Sequence, residues 1–320
     1  MNDPAPSAIN RTMTPVQWGM LVGLAVLWGG SFLFVEVAVA ALPVFTVVAL
    51  RVALGALGLL AVLRISGERL PRDPSVWRAL FLLAVLNNVL PFTLFGWGQM
   101  HIASGLAAIL NATTPLFAAT VAHFATADEP FTLNRGLGVL IGLVGVAVMF
   151  GPSAFEGLGV NTQAELACLA AALCYAVAGV YGRRFGGMGL GATATATGQL
   201  ICSSAIMIAL ALALDRPWTL SVPAWPVIAS ILALAVLSTS LAYVIYYRLL
   251  RQAGATNTLL VTILVPVFAV FFGATLLHER LEPRHFVGLG LILLGLSAID
   301  GRLWAALRRA LRIASRTGQA

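Results

Sequence analysis

Long apolar runs separated by short polar or Gly/Pro-marked turns dominate the chain from residue 17 to residue 301. A helix needs about 20 mainly apolar residues to cross roughly 30 Å of hydrocarbon. That length finds ten runs, at about 17–38, 43–64, 77–98, 102–123, 134–151, 164–184, 191–213, 223–247, 256–277 and 284–301. The connections, such as "AALPV" at 40–44 and "FGGMGLG" at 185–191, are too short to hold a soluble domain. The pattern predicts an all-α membrane protein of ten transmembrane helices.

The runs also repeat. Pro115 and Pro266 are 151 residues apart, Glu129 and Glu279 are 150 apart, and so are Gly138 with Gly288 and Gly145 with Gly295. Trp97 and Tyr247 keep the same offset of 150. The expected organisation is two five-helix repeats, 17–150 and 164–300, followed by a basic tail at 302–320. Five is odd, so the copies cross the membrane in opposite senses. Such inverted repeats are common in secondary transporters, which bind substrate near the midplane where the repeats meet.

Composition agrees with lipid as the solvent: 60% of residues are hydrophobic, only 10% are charged, and the mean hydropathy is +0.94. The basic residues are all arginines. With the N-terminus in the cytoplasm, fifteen arginines flank the spans on that side, three lie on the other, and Arg51 lies within a span. That bias puts both termini in the cytoplasm. The first run is longer than a signal peptide and contains Glu36, so it reads as a retained helix despite "AVA" at 38–40. The tail "RLWAALRRALRIASR" can form an amphipathic segment on the anionic inner leaflet or remain a solvated end.

Few residues carry chemistry. Cys168, Cys174 and Cys202 lie in apolar runs without metal or disulfide spacing, and His101, His123, His278 and His285 are scattered. There is no HExxH, and no P-loop, because there is no lysine to complete one. A polytopic enzyme and an ATP-driven pump are therefore disfavoured, the inverted repeat and the lack of a charged ring disfavour a channel, and neither cofactor, metal nor nucleic acid is expected.

The stretches "LWGGSF" (27–32), "LPFTLFGWGQMHIASGLAAILNATTPLF" (90–117), "LSTSLAYVIYYRLL" (237–250) and "PVFAVFFGATLLHERLEPRHFVGLGLILLGL" (266–296) resemble the EamA-type transporters of the drug/metabolite transporter superfamily. The resemblance covers about residues 17–300. It implies two inverted EamA units and export of small metabolites, such as amino acids or related compounds, across a bacterial inner membrane. Efflux of drugs or toxic compounds is the alternative.

Polar residues inside spans are costly and tend to face an interior or a cavity. Arg51 can hold a substrate carboxylate bidentately, or pair structurally with an acid or a carbonyl. Gln199 occupies nearly the same place in the second unit. Glu36 can be a protonatable coupling group, a partner for Arg51, or an interfacial acid. Trp28, Ser31 and Tyr175 can line a cavity or pack a core. Asn88, Asn111, Thr239 and Tyr243 either bind substrate or stitch helices together. Pro115 and Pro266 are candidate hinges, while Asp128, Glu129 and Glu279 read as interfacial acids near helix N-termini. The expected partners are a small-molecule substrate, protons as coupling ion and membrane lipids. Ten helices fit a monomer or a homodimer.

Overall fold

The computed structural model describes residues 13–125, 133–151, 159–258 and 260–300. Asp128, Glu129 and the basic stretch 302–316 lie outside the described residues. Eight helices are long and apolar enough to span a membrane: α1 (Pro15–Val39), α2 (Val44–Ile65), α3 (Pro74–Gln99), α4 (Ser104–Ala125), α5 (Leu133–Phe150), α6 (Val160–Gly187), α7 (Ala192–Asp215) and α8 (Trp225–Gly254). Two shorter apolar helices, α9 (Val261–Leu276) and α10 (Pro283–Ile299), complete the set.

Local chemistry starts and stops these rods. Thr14 and Gln17 form a capping box at the head of α1: Gln17 N donates to Thr14 Oγ1 at 3.3 Å and Thr14 N donates to Gln17 Oε1 at 2.9 Å. Asp73 caps α3 by accepting from Ser75 N at 2.8 Å. Two caps come from distant acids. Asp215, at the end of α7, accepts from Thr46 N at 2.7 Å in the first turn of α2. Glu279, in the α9–α10 connection, accepts from Ser104 N at 2.8 Å and Gly105 N at 3.1 Å at the head of α4. Negative charge is stabilised by the unpaired N–H groups at a helix start.

Helix pairing shows the inverted repeat. The helices α2 and α7, α4 and α9, and α5 and α10 each pack against their own counterpart. The other contacts come in exchanged pairs: α1 with α9 mirrors α6 with α4, α3 with α6 mirrors α8 with α1, and α2 with α8 mirrors α7 with α3.

The glycines of α5 and α10 make the symmetry explicit. Gly138 faces Gly295 and Gly145 faces Gly288, so each glycine meets the counterpart of the other. A Cβ on Gly138 would lie 2.5 Å from the Gly295 carbonyl oxygen, and one on Gly145 would lie 2.7 Å from that of Gly288. Between lipid-bathed helices, association depends on such close backbone approach. Gly290, also on α10, has open space where a Cβ would stand.

The proline-bearing spans are not simple kinked rods. Helix α4 is helical over Ser104–Asn111 and Thr114–Ala125, with a turn at Ala112–Thr113. Pro115 is the second residue of the later segment, where its missing N–H leaves no bond unmade. On the other side of the pseudo-symmetry, Gly254 breaks the helical conformation with φ 80° and ψ 165°, a region that glycine enters freely. A short helical stretch then ends at Thr258 and α9 resumes at Val261. Pro266 lies inside the continuous α9. The break falls within α4 in one repeat and just before α9 in the other, and in neither does the proline itself mark it.

Replacing Gly138 with Leu should lower the melting temperature in detergent by the equivalent of about 1–3 kcal/mol of overpacking. Gly290→Ala, on the opposing helix but in open space, should leave it nearly unchanged. Differential scanning fluorimetry of the two variants checks the pair.

Candidate functional site

The site grows from two π-helical bulges at matching places in the two repeats, Val85–Val89 in α3 and Val236–Leu241 in α8. A bulge of this kind adds a residue to a helical turn, changes which side chains face inward, and is frequent at functional sites. In α8 it gives three consecutive hydroxyls different partners. Ser238 Oγ donates to Leu27 O of α1 at 2.8 Å. Thr239 Oγ1 accepts from Arg51 Nε of α2 at 3.2 Å. Ser240 Oγ lies 3.0 Å from Gly55 O of α2 and equally from Ala235 O. Gly55 makes this approach possible, because a Cβ there would stand 2.9 Å from Thr239 Cγ2.

The α3 bulge repeats the device against α7. Asn87 Nδ2 lies 3.3 Å from Gln199 Oε1 and 3.5 Å from the Tyr243 hydroxyl, and Gln199 Nε2 donates to the same hydroxyl at 3.4 Å. The pair Arg51–Thr239 between α2 and α8 is thus answered by Gln199–Asn87 between α7 and α3. Asn88, Gln199 and Thr239 are 0%, 1% and 1% exposed, so the centre is closed off.

Arg51 sits at the heart of this cluster. Its guanidinium carbon lies 3.8 Å above the Phe92 ring, a cation–π contact strengthened by desolvation. Tyr175 and Tyr243 are its electrostatic neighbours. Among the described residues no carboxylate lies within ion-pair distance, and only Nε makes a hydrogen bond. The terminal nitrogens of Arg51 make no hydrogen bond among the described residues. The planar fork of a guanidinium matches a carboxylate.

Aromatic rings surround the centre. Phe95 stacks on Tyr175 with centroids 6.1 Å apart, Tyr243 on Tyr247 at 6.0 Å, and Trp28 leans on Tyr246 at 5.4 Å.

Of the residues singled out by sequence, Arg51, Asn88, Tyr175, Gln199, Thr239 and Tyr243 come together, and Trp28 stands against the Tyr246 side of the same helix. Three stand elsewhere. Ser31 Oγ bonds to Trp28 O at 2.6 Å within its own helix. Asn111 serves the α4 interruption, accepting from Thr114 Oγ1 at its carbonyl (2.8 Å) and side-chain oxygen (3.3 Å). Glu36 pairs with Gln99 Nε2 at 3.2 Å, rather than with Arg51. The same Nε2 donates to Phe32 O at 2.7 Å, and Gln99 Oε1 is buried without a partner.

Phe92, Gln99 and Ser240 escaped the sequence reading. Phe92 looks like any other core aromatic. Ser240 sits beside Thr239, which the sequence does mark. Gln99 carried the one usable signal, a polar side chain near the end of an apolar run. A surface hollow of about 410 Å³ between α2 and α8 is lined by Leu42, Thr46, Leu50 and Leu54 among others, and by no member of the Arg51 cluster.

Comparison with known proteins follows from this architecture. The profile of the EamA-like transporter family matches residues 17–151 and 162–299, one match per repeat. The chain belongs to that family. It is similar to the uncharacterized transporter YoaV of Bacillus subtilis, 25% identical over 284 residues, covering 86% of this chain and 94% of YoaV. It is also similar to the uncharacterized inner membrane transporter YedA of Escherichia coli K12, 26% identical over 289 residues and covering 88% and 89% of the two chains. A solved crystal structure shares the fold at a TM-score of 0.63 and 19% identity, over 91% of this chain and 99% of that one. This EamA-like protein is a multi-pass membrane transporter.

The Glu279 cap gives a test of how the α9–α10 connection is anchored. Gly273 presses on the Glu279 carboxylate so closely that a Cβ there would collide with it. Glu279→Gln should reduce stability by about 1.5–3 kcal/mol, the range for hydrogen bonds to a charged group. Gly273→Ala should act through the same cap, so the double variant should lose clearly less than the sum of the two. Chemical denaturation followed by tryptophan fluorescence measures all three.

Proposed function

We propose that this EamA-like transporter is a secondary active carrier that exports small carboxylate-bearing metabolites, amino acids or related compounds, across a bacterial inner membrane. The supporting observation is Arg51: a buried guanidinium two turns into α2, clamped by Thr239 and Phe92, with its terminal nitrogens uncommitted and, among the described residues, no carboxylate beside it. A charge held at such depth is expensive and marks a substrate pathway by default. The cargo carboxylate supplies the missing counter-charge.

Alternating access follows from the repeats. Each half closes one end of the central site, and exchange of their conformations moves the opening from one side to the other. The interrupted span α4, which carries Pro115, and the broken entry to α9, which carries Pro266, are the bending elements. The arginine bias orients both termini to the cytoplasm. Protons or the cargo gradient drive the cycle, with Glu36, an acid placed within a span, as the coupling group.

The aromatic pairs Phe95–Tyr175 and Tyr243–Tyr247 favour a second reading, efflux of planar drugs that stack on them.

Counterflow in proteoliposomes separates the two. The panel holds labelled amino, hydroxy and keto acids, their amides and esters, and planar drugs, with and without a pH gradient. Exchange that requires a free carboxylate and falls at least tenfold in Arg51→Gln is expected. Exchange of esters or planar drugs that is indifferent to Arg51 sinks the carboxylate reading and supports efflux.

A further inference from the structure

Asn88 stands out in the central cluster because its side chain is wholly buried and neither polar atom has a hydrogen-bond partner within 3.5 Å, although the Tyr243 hydroxyl stands near enough to feel its amide. It is 0% exposed, and the unpartnered atoms are Oδ1 and Nδ2. Buried polar groups are nearly always paired, so an orphaned donor and acceptor on one amide call for an explanation. Its neighbours are engaged elsewhere. The adjacent Asn87 is directed to Gln199 and Tyr243, and the Tyr243 hydroxyl already takes contacts from both those amides.

The position of Asn88 ties it to Arg51. Phe92, whose ring lies under the guanidinium, follows Asn88 by four residues on α3. Asn88 belongs to the bulge about one turn before Phe92 on the same helix. Asn88 and Arg51 both lie within interaction range of Tyr243. A small molecule gripped at its carboxylate by Arg51 therefore brings its neighbouring group to Asn88.

Charge decides which group that is. The centre holds one cation and, among the described residues, no acid in ion-pair range of it. An ammonium group there would feel the field of Arg51 and find no carboxylate to offset it. A neutral group that both donates and accepts matches both orphaned atoms of Asn88.

We propose that Asn88 is a specificity-determining contact that reads a neutral amide next to the cargo carboxylate, so that N-acylated amino acids are preferred over free zwitterionic ones. This rests on the reading that Arg51 holds the carboxylate. A site built to hydrogen-bond a polar group discriminates strongly against an analogue that lacks it.

The probes are N-acetyl-L-phenylalanine, L-phenylalanine and N-acetyl-L-phenylalaninamide, in counterflow with the wild type, Asn88→Leu, Asn88→Ser and Arg51→Gln. The wild type should prefer the acetylated acid over the free amino acid by about tenfold or more, one good hydrogen bond's worth of discrimination, and should reject the amide. Asn88→Leu should lose the acetyl preference while still requiring the carboxylate, and Asn88→Ser should fall between. Without cargo, the Asn88→Leu melting temperature should hold or rise, since an unpartnered amide is replaced by an apolar side chain of similar size. Preference for free phenylalanine, an acetyl preference that persists in Asn88→Leu, or a cargo-free drop in its melting temperature overturns the assignment to Asn88. A carboxylate requirement that survives such a result leaves the Arg51 reading standing. Equal exchange of acid and amide overturns both.

Discussion

A guanidinium buried inside a membrane-spanning helix is the constraint around which the centre of this protein is arranged. Lipid offers no hydrogen bonds, so every polar atom at that depth must be answered by the protein or by what it carries. Arg51 is answered only in part. Thr239 takes one N–H and the Phe92 face takes some of the charge. Gly55 lets α8 come close enough for that contact, and the α8 bulge turns Thr239 towards it while Ser238 and Ser240 tie the same turn to α1 and α2. Under the proposed function, the remaining capacity of the guanidinium is the part left for cargo.

The second organising feature is that the chain solves each problem twice, in opposite senses. Bulges recur in α3 and α8, interruptions recur in α4 and the α8–α9 region, and the glycines of α5 and α10 meet in exchanged pairs. The symmetry is broken where chemistry needs it. Arg51 and Gln199 hold nearly matching places, but one is charged and the other is not. The two bulges differ likewise, one offering hydroxyls and the other amides. A symmetric scaffold with an asymmetric lining can bind a molecule that has two different ends.

The far ends of the helices show the same economy with charge. Asp215 and Glu279 each cap a helix of the other half of the sequence or of another span pair, so acids that look merely interfacial join distant segments. Glu36 is held by Gln99, which also grips the Phe32 carbonyl of the same helix. These contacts tie α1, α3, α4 and the α9–α10 connection together at one end of the bundle.

Sequence alone determined the solvent, the number of apolar runs, the repeat and its inverted sense. These follow from run length, composition and a constant offset, all local or periodic properties. It also marked Arg51, Gln199, Asn88, Thr239 and Tyr243, because polar residues inside apolar runs are conspicuous. Tertiary structure decided which of them meet. Glu36 and Arg51 look like natural partners along the chain, yet the packing gives Glu36 to Gln99. Asn111 resembles Asn88 in the sequence but spends its side chain on the turn before Thr114. Phe92 became part of the site only when α2 and α3 were brought together. The bulges were not legible either, since a π-turn leaves no mark in hydropathy. The physical reason is common to all these cases. Apolar periodicity records that a residue is away from water, whereas a site depends on which faces of different helices converge, and that is fixed only by packing.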